Sequence, residues 1–438
     1  MKRLEVKANY QYVEFDLDVD MYNYLYDKLK EGYKITDSFN LCVEINKNDN
    51  YELLSRFDIE HIDINIKDKI KSLYEKKEIE YPDYNDTLLG VISGIKNNFD
   101  EPYRYPIIDG IFDKKYKKVV IMLLDGMGTN ILMNNLDDDS FLKTHYVKSI
   151  HSIYPSTTAA ATTSVKSGLS PITSGWTGWC NYLKEADKVL VLFNGKDYYT
   201  GNPTGISLYK YIPYDMFYKD FKIPGASIEP DFSKDKHHKI KQILKRSLKE
   251  LKKNDKMVQY VYFPEPDAIM HEKGPYSIEA IETLNELDLA IEAYAKKLPS
   301  DTLLIISADH GHTAVKSLNI YDCKLILDLL ERKPANDSRC VSFKVIPGKE
   351  KEFENMFNTL FGDVYKLFKT SDAINMGFFG LKDDQVNSRI DDFLGDYVAL
   401  GINKYVFNYQ GKDNFDFKSH HAGITKDEMF VPICIVRK

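Results

Sequence analysis

Residues 118–124 read KVVIMLL, with six apolar side chains in succession. Two similar runs follow, MVQYVYF at 257–263 and TLLIIS at 302–307. Short apolar runs without alternation predict strands covered on both faces of a largely parallel sheet. Between the last two runs, Ile278, Ile281, Leu284, Leu287, Ile291 and Tyr294 recur every three or four residues, and Pro299 follows. This spacing predicts a helix packed on that sheet. TLLGVISGIKNNF (87–99) has the same helical rhythm, whereas YVKSIHSI (146–153) and MFVPICIVRK (429–438) read as strands. The alternation predicts an α/β fold with a largely parallel central sheet flanked by helices.

The flanks of this pattern differ from it. Residues 1–80 are rich in Tyr, Asp, Lys and Asn, with short alternating patches (YVEFDLDVD, LCVEINK) and one amphipathic stretch, MYNYLYDKLKEGY. They read as an N-terminal accessory region of mixed structure. EIEYPDYN (78–85) reads as a joint to a catalytic domain at 81–438. Within that domain, residues 315–410 interrupt the rhythm with SFKVIPGKEKEFENMFNTLFG, a strand, a turn and an amphipathic helix. This segment is expected to form an inserted α+β cap.

Composition narrows the class of function. The chain has 438 residues, 43% of them apolar, which is enough for a sizeable core. A formal charge of −7 leaves no basic footprint for nucleic acid. The five cysteines are scattered and form no C-x-x-C, which argues against a disulfide framework or a cysteine-built zinc site. No stretch approaches the ~20 apolar residues needed to span a bilayer. The expectation is a soluble, cytoplasmic protein with no membrane partner.

The chemistry lies just beyond the end of each apolar run. KVVIMLL ends on Asp125, MVQYVYF leads to Asp267 and His271, and TLLIIS leads to Asp309, His310 and His312. In open α/β sheets, ligands bind outside the carboxyl ends of the strands. Carboxylates gathered there would repel one another unless a cation were bound. Three aspartates with two or three histidines are too many ligands for one zinc-like ion and about right for two. His312 is equally well read as a histidine bonded to nearby backbone. A hydroxyl cluster, IYPSTTAAATTSVKSG (153–168), opens a predicted helix whose N-terminus would favour phosphate. Ser156 or Thr157 there can also serve as a plain helix cap. The pair His420–His421 precedes the last strand and could complete the second ion.

LLDGMG, YPSTTAAATTSVKSG, PDAIMH, ADHGH and HHAG occur in that order. Together they resemble the alkaline phosphatase superfamily, most closely its nucleotide pyrophosphatase/phosphodiesterase branch, over about 118–438. The resemblance implies two divalent ions, zinc before manganese. It assigns Asp125, Thr158, Asp309 and His310 to one ion, and Asp267, His271 and His421 to the other. It makes Thr158 the nucleophile, in phase with Pro155. It implies a phosphodiesterase or pyrophosphatase acting on a small phosphate ester, a nucleotide among the candidates, through a threonyl intermediate. A phosphomonoesterase or mutase on the same site, and a non-catalytic binder of a nucleotide or partner, are the alternatives. Threonine, with no Cys nearby, counts against the sulfatase branch, and mutases usually offer serine, which lowers that alternative too. The sequence departs from many of these phosphodiesterases at Ala161, where they carry a phosphate-binding Asn. The Thr158 backbone N–H or the Thr162 side chain would have to replace it. Trp176 and Trp179, the only tryptophans, are either core or an aromatic wall beside the metals.

Overall fold

The computed structural model describes residues 2–7, 10–56, 77–232, 239–411 and 416–438. Residues 57–76 of the expected accessory region lie outside the described residues. The three apolar runs are strands in which every residue is buried: Lys118–Leu124, Met257–Phe263 and Thr302–Ser307. They lie side by side and parallel in a six-stranded sheet. Gly225–Ile228 extends one edge in the same sense. At the other edge, Phe430–Arg437 runs antiparallel to Thr302–Ser307 and pairs antiparallel with Tyr146–His151. Only one of the six strands therefore opposes the rest. Side chains from both faces of the sheet join one core with the helices Leu88–Asn98 and Ile278–Ala295. Each fully buried Val, Leu or Ile contributes about 1.5–3 kcal/mol, so this core carries much of the stability. Thr87 caps the first of these helices, accepting the Leu89 N–H at 3.3 Å, and Ser277 caps the second.

A second six-stranded sheet forms outside this domain core, from Tyr365–Lys369, Tyr397–Gly401, Cys340–Phe343, Ala335–Asp337, Cys180–Leu183 and Lys188–Val191. Two of its strands therefore come from well before residue 315, just after the hydroxyl-rich helix. The strand, turn and helix read in 342–362 are present as Cys340–Phe343 and Glu350–Phe361. The N-terminal region forms a five-stranded sheet with the helix Asp18–Lys30. It shares one core with the 318–409 region, in which Met21, Tyr22 and Leu25 meet Leu325, Phe357 and Phe361 among others. Asp18, buried beneath this contact, pairs with Arg56 at 2.5 Å and accepts the Asn319 N–H at 3.1 Å. Residues 78–85, read from sequence as a joint, are pinned to the 424–426 loop: Glu80 N–H donates to Ile424 O at 2.8 Å, and Lys426 N–H to Glu78 O at 2.9 Å.

Candidate active site

Three loops leave the carboxyl ends of the adjacent strands and are bonded to one another there. Asp125 N–H donates to Phe263 O (3.0 Å), and Asp267 N–H donates to Asp125 O (3.1 Å). Glycine permits this close approach at two points. Gly126 has φ +73°, and a Cβ on it would lie 3.0 Å from the His312 ring. A Cβ on Gly128 would lie 2.3 Å from Gly311 Cα. The D-G-x-G and D-H-G-H stretches therefore touch backbone to backbone, and their acidic and imidazole side chains face a common space.

The side chains fall into two sets whose ligand atoms lie within 4.8 Å of one another in each set. One set is Asp125, Asp309 and His310; the other is Asp267, His271, His312 and His421. The sets adjoin. His310 Nε2 lies 3.2 Å from Asp125 Oδ1 and 4.0 Å from Asp267 Oδ1, and the His310 and His421 rings stack at 3.8 Å. Thr158 is the first residue of the helix Thr158–Ser167. Its Oγ1 lies 3.3 Å from Asp125 Oδ1 and 3.2 Å from His310 Nε2. All the residues expected from the sequence are thus brought together, and His420 lies outside the two sets.

The donor chemistry fits divalent cations. His271, His310 and His421 each direct Nδ1 at a backbone carbonyl, of Ser419 (2.8 Å), Gly311 (3.0 Å) and Ser156 (3.2 Å) respectively. A carbonyl only accepts, so Nδ1 carries the proton and Nε2 is left to bind. His312 Nδ1 meets Ser419 Oγ at 3.0 Å, and that hydroxyl gives its own proton to Met270 O at 2.6 Å. His312 must therefore donate from Nδ1 as well. Its Nε2 then faces Asp267 Oδ1 at 2.6 Å, lone pair against carboxylate, a contact that a shared cation would make favourable. Asp309 is fully buried; its Oδ1 accepts the Gly126 and His310 N–H groups, and its Oδ2 has no hydrogen-bond partner. A buried orphan oxygen of this kind costs free energy unless a ligand completes it.

The electrostatics agree. Burial, reinforced by Asp267, raises the Asp125 carboxyl above its ordinary range, and burial with Asp125 raises Asp309 well above it. Burial opposes the charge on His310, but Asp309 and Asp125 outweigh it and push the imidazole up to about 10. Burial lowers His312 to about 4, with Asp267 opposing. A proton on His310 therefore balances the carboxylates, and a bound cation would displace it.

Several participants escape a reading of the sequence. Tyr262, on the Met257–Phe263 strand, donates its hydroxyl to Asp125 Oδ2. Its only signal is a polar-tipped ring near the end of an apolar run. Ser156 receives the His421 imidazole at its carbonyl and donates its hydroxyl to Gly423 O (2.9 Å), so it clamps the His421 loop instead of capping the helix. Thr162 donates to Thr158 O at 2.6 Å, which spends the hydroxyl proton expected to serve a phosphate oxygen. The first bond of the helix is Ala161 N–H to Thr157 O, so the N–H groups of Thr158, Ala159 and Ala160 have no partner within it. Trp176 is core, 3% exposed, with its indole N–H on Ile212 O. Trp179 is 39% exposed and meets the exposed Phe193 edge-on at 5.8 Å.

Asp337 accepts the Thr157 hydroxyl at 2.9 Å, next to the nucleophile position. Burial raises its carboxyl to about 7. A raised acid favours folding while neutral, so this stabilisation is complete below pH ~4 and lost as pH rises through ~7. Asp337→Asn should therefore leave the stability of the metal-free protein unchanged at pH 4. At pH 8 it should raise stability by on the order of a few kcal/mol relative to the parent. Denaturant titrations of both proteins across that range check this, and parallel pH profiles would refute it.

The sheet, the aspartates and histidines at its carboxyl edge and the threonine-led helix are those of the alkaline phosphatase superfamily, as the family match bears out. The profile of the type I phosphodiesterase / nucleotide pyrophosphatase family matches residues 119–421, and the chain belongs to that family. It is accordingly a hydrolase acting on phosphate esters, from a metal-dependent family. Its fold is similar to mouse ectonucleotide pyrophosphatase / phosphodiesterase 5, solved as an inactive Thr-to-Ala variant with AMP. That match has TM-score 0.55 and 15% identity, covering 72% of this chain and 87% of that one. The human counterpart matches with TM-score 0.53 and 14% identity, covering 73% and 87%. Phosphonoacetate hydrolase from Sinorhizobium meliloti 1021, solved with phosphonoformate, matches with TM-score 0.51 and 13% identity, covering 75% and 92%. No curated protein matches the sequence.

Proposed function

We propose that this protein is a phosphodiesterase or nucleotide pyrophosphatase that uses two divalent ions, zinc before manganese, and a covalent threonyl intermediate. The observation that carries this reading is Thr158 Oγ1, set between Asp125 and His310 at a helix N-terminus. The mouse relative described as inactive differs from its parent by a threonine replaced with alanine, which supports a threonine nucleophile. Asp125, Asp309, His310 and Thr158 would hold one ion. Asp267, His271 and His421 would hold the other, with His312 beside them. When bound, the ions supply the positive charge that ionises the attacking hydroxyl and water and stabilises the leaving oxygen.

The chain's own residues do the rest. Thr158 Oγ1 gives its proton to solvent water and attacks phosphorus in line, while the bond to the leaving oxygen breaks and that oxygen keeps the electron pair and takes a proton from solvent as its basicity requires. The first-turn N–H groups of Thr158, Ala159 and Ala160 face the phosphoryl oxygens in place of the missing Asn side chain, since Ala161 offers no donor. Water then attacks phosphorus from the opposite side, the bond to Oγ1 breaks, and Thr158 regains its proton. Two inversions leave the configuration at phosphorus retained. Trp179 and Phe193 form the exposed aromatic surface that a flat leaving group would meet. An accessory region at 1–80 and a catalytic domain at 81–438 with a cap at 315–410 belong to the same proposal. So does a cytoplasmic location: all five cysteines are buried and unpaired, and no helix among the described residues is long and apolar enough to cross a membrane.

The test is hydrolysis of bis-p-nitrophenyl phosphate and p-nitrophenyl phosphate by chelator-stripped protein reloaded with zinc, manganese or magnesium. The diester should be turned over faster, and zinc or manganese should raise the melting temperature along with activity. Faster turnover of the monoester would favour the phosphomonoesterase alternative. Metal uptake without turnover of either ester would favour a binding protein.

A further inference from the structure

Among the described residues, Arg339 is one of the largest fully buried side chains, and it lies outside the ligand set. It sits just after the Ala335–Asp337 strand of the second sheet. Its Nε and Nη2 form a two-pronged pair with Glu428, both at 2.7 Å, and neither side chain is exposed. Its Nη1 donates to the carbonyls of Asn403 and Tyr405. A buried ion pair is costly to assemble and is weak evidence of a stability role. This pair is singled out by where the remaining bonds of Glu428 go. Oε1 accepts the Gly423 N–H at 2.7 Å, and Oε2 accepts the Thr425 hydroxyl at 2.6 Å. The Glu428 backbone carbonyl accepts the Gly311 N–H at 2.9 Å. Gly423 lies two residues after His421, and Gly311 lies between His310 and His312. The packing leaves no slack, since a Cβ on Gly423 would lie 2.8 Å from Arg339 Nη2. Two residues before Arg339, Asp337 reaches the third loop by accepting the Thr157 hydroxyl beside Thr158.

We propose that the buried Arg339–Glu428 pair is a positioning device for the metal centre. It ties the 403–405 backbone to the two loops that carry His310, His312 and His421. This rests on the two-ion reading of the site. Neither residue touches a ligand atom; Glu428 acts through the Gly423 and Gly311 N–H groups it accepts, and Arg339 acts by fixing Glu428. The region expected from sequence to be a cap is then part of the catalytic scaffold as well as a cover. Outer-shell partners of metal ligands typically tune affinity 10–100-fold.

The test uses full-length protein, Glu428→Gln and the double variant R339M/E428M, in which two apolar side chains replace both charges so that no unpaired charge is left behind. Chelator-stripped samples are titrated with zinc against a chromophoric chelator. Their metal-free thermal unfolding and their kcat and KM on bis-p-nitrophenyl phosphate are measured alongside. The expected result is cooperative metal-free unfolding with zinc binding weakened 10–100-fold. At saturating zinc, kcat should fall while KM changes little. A folded variant that binds zinc with the parent's affinities overturns the proposal. So does loss of the folded state in both variants, which would make the pair a determinant of the fold alone. If the parent itself binds no divalent ion, the two-ion reading fails first, and this inference falls with it.

Discussion

Thr158→Ala is expected to lower kcat on a phosphodiester by about 10³–10⁶-fold while two equivalents of metal remain bound. The range reflects the cost of removing a nucleophile from enzymes that form covalent intermediates. The hydroxyl is the atom that would form the new bond to phosphorus, and the neighbouring hydroxyls are not placed to replace it. The Ser156 hydroxyl is spent on Gly423 O, the Thr157 hydroxyl on Asp337 and the Thr162 hydroxyl on Thr158 O. Metal should persist because Asp125, Asp309 and His310 are untouched, and Thr158 would add only one oxygen to them. Thr158→Ser, which keeps the oxygen, should recover much of the rate. Steady-state kinetics with metal analysis decide the matter. If Thr158→Ala turned over normally, the nucleophile would have to be sought elsewhere.

The second large effect is expected at Asp267. Its Oδ1 lies 2.6 Å from His312 Nε2, 3.4 Å from His271 Nε2, 3.7 Å from His421 Nε2 and 4.0 Å from His310 Nε2. Burial would raise its carboxyl, but the surrounding imidazole charges, His271 first, hold it below the usual carboxylate range. It is the one carboxylate of its set, so it supplies the only formal negative charge opposite three imidazoles. Asp267→Asn keeps the shape and removes the charge. It should cost one of the two metal equivalents and at least ~10²–10³-fold in kcat/KM, the scale of losing one preorganised charge at a reacting centre. Asp309→Asn should cost the other equivalent instead. Equilibrium dialysis followed by metal analysis separates the two sites. Retention of both equivalents by Asp267→Asn would refute the division of ligands between the ions.

Much of the architecture is legible in short stretches of the chain. KVVIMLL, MVQYVYF and TLLIIS form strands because a run apolar on every residue is stable only when both faces are covered. The helices at 88–98 and 278–295 are marked by spacing and capping residues. The ends of those strands mark the aspartates, since a carboxylate that follows a buried apolar run needs a partner for its charge. Other features are hidden. The second sheet takes strands from 180–191 and from 335–401, and nothing local marks such a pairing. Thr162 reads as a donor into the site because its residue type allows it; the helix backbone one turn earlier claims its proton instead. Ser156 reads as a cap, but its bonds go to residues 421–423, some 265 positions along the chain.

His312 marks the boundary between the two kinds of knowledge. ADHGH names it as a donor but does not say whether it meets backbone or a carboxylate. Period, propensity and the chemical type of each side chain are properties of short stretches, so the α/β class, the strand ends and the inventory of aspartates and histidines are already present in the amino-acid order. Which nitrogen of each imidazole points inward, which hydroxyls are already spent, and that Glu428, paired with Arg339, bonds two distant histidine loops depend on contacts between segments far apart in the chain. Those contacts are set by how the whole core packs, and only the folded molecule reveals them.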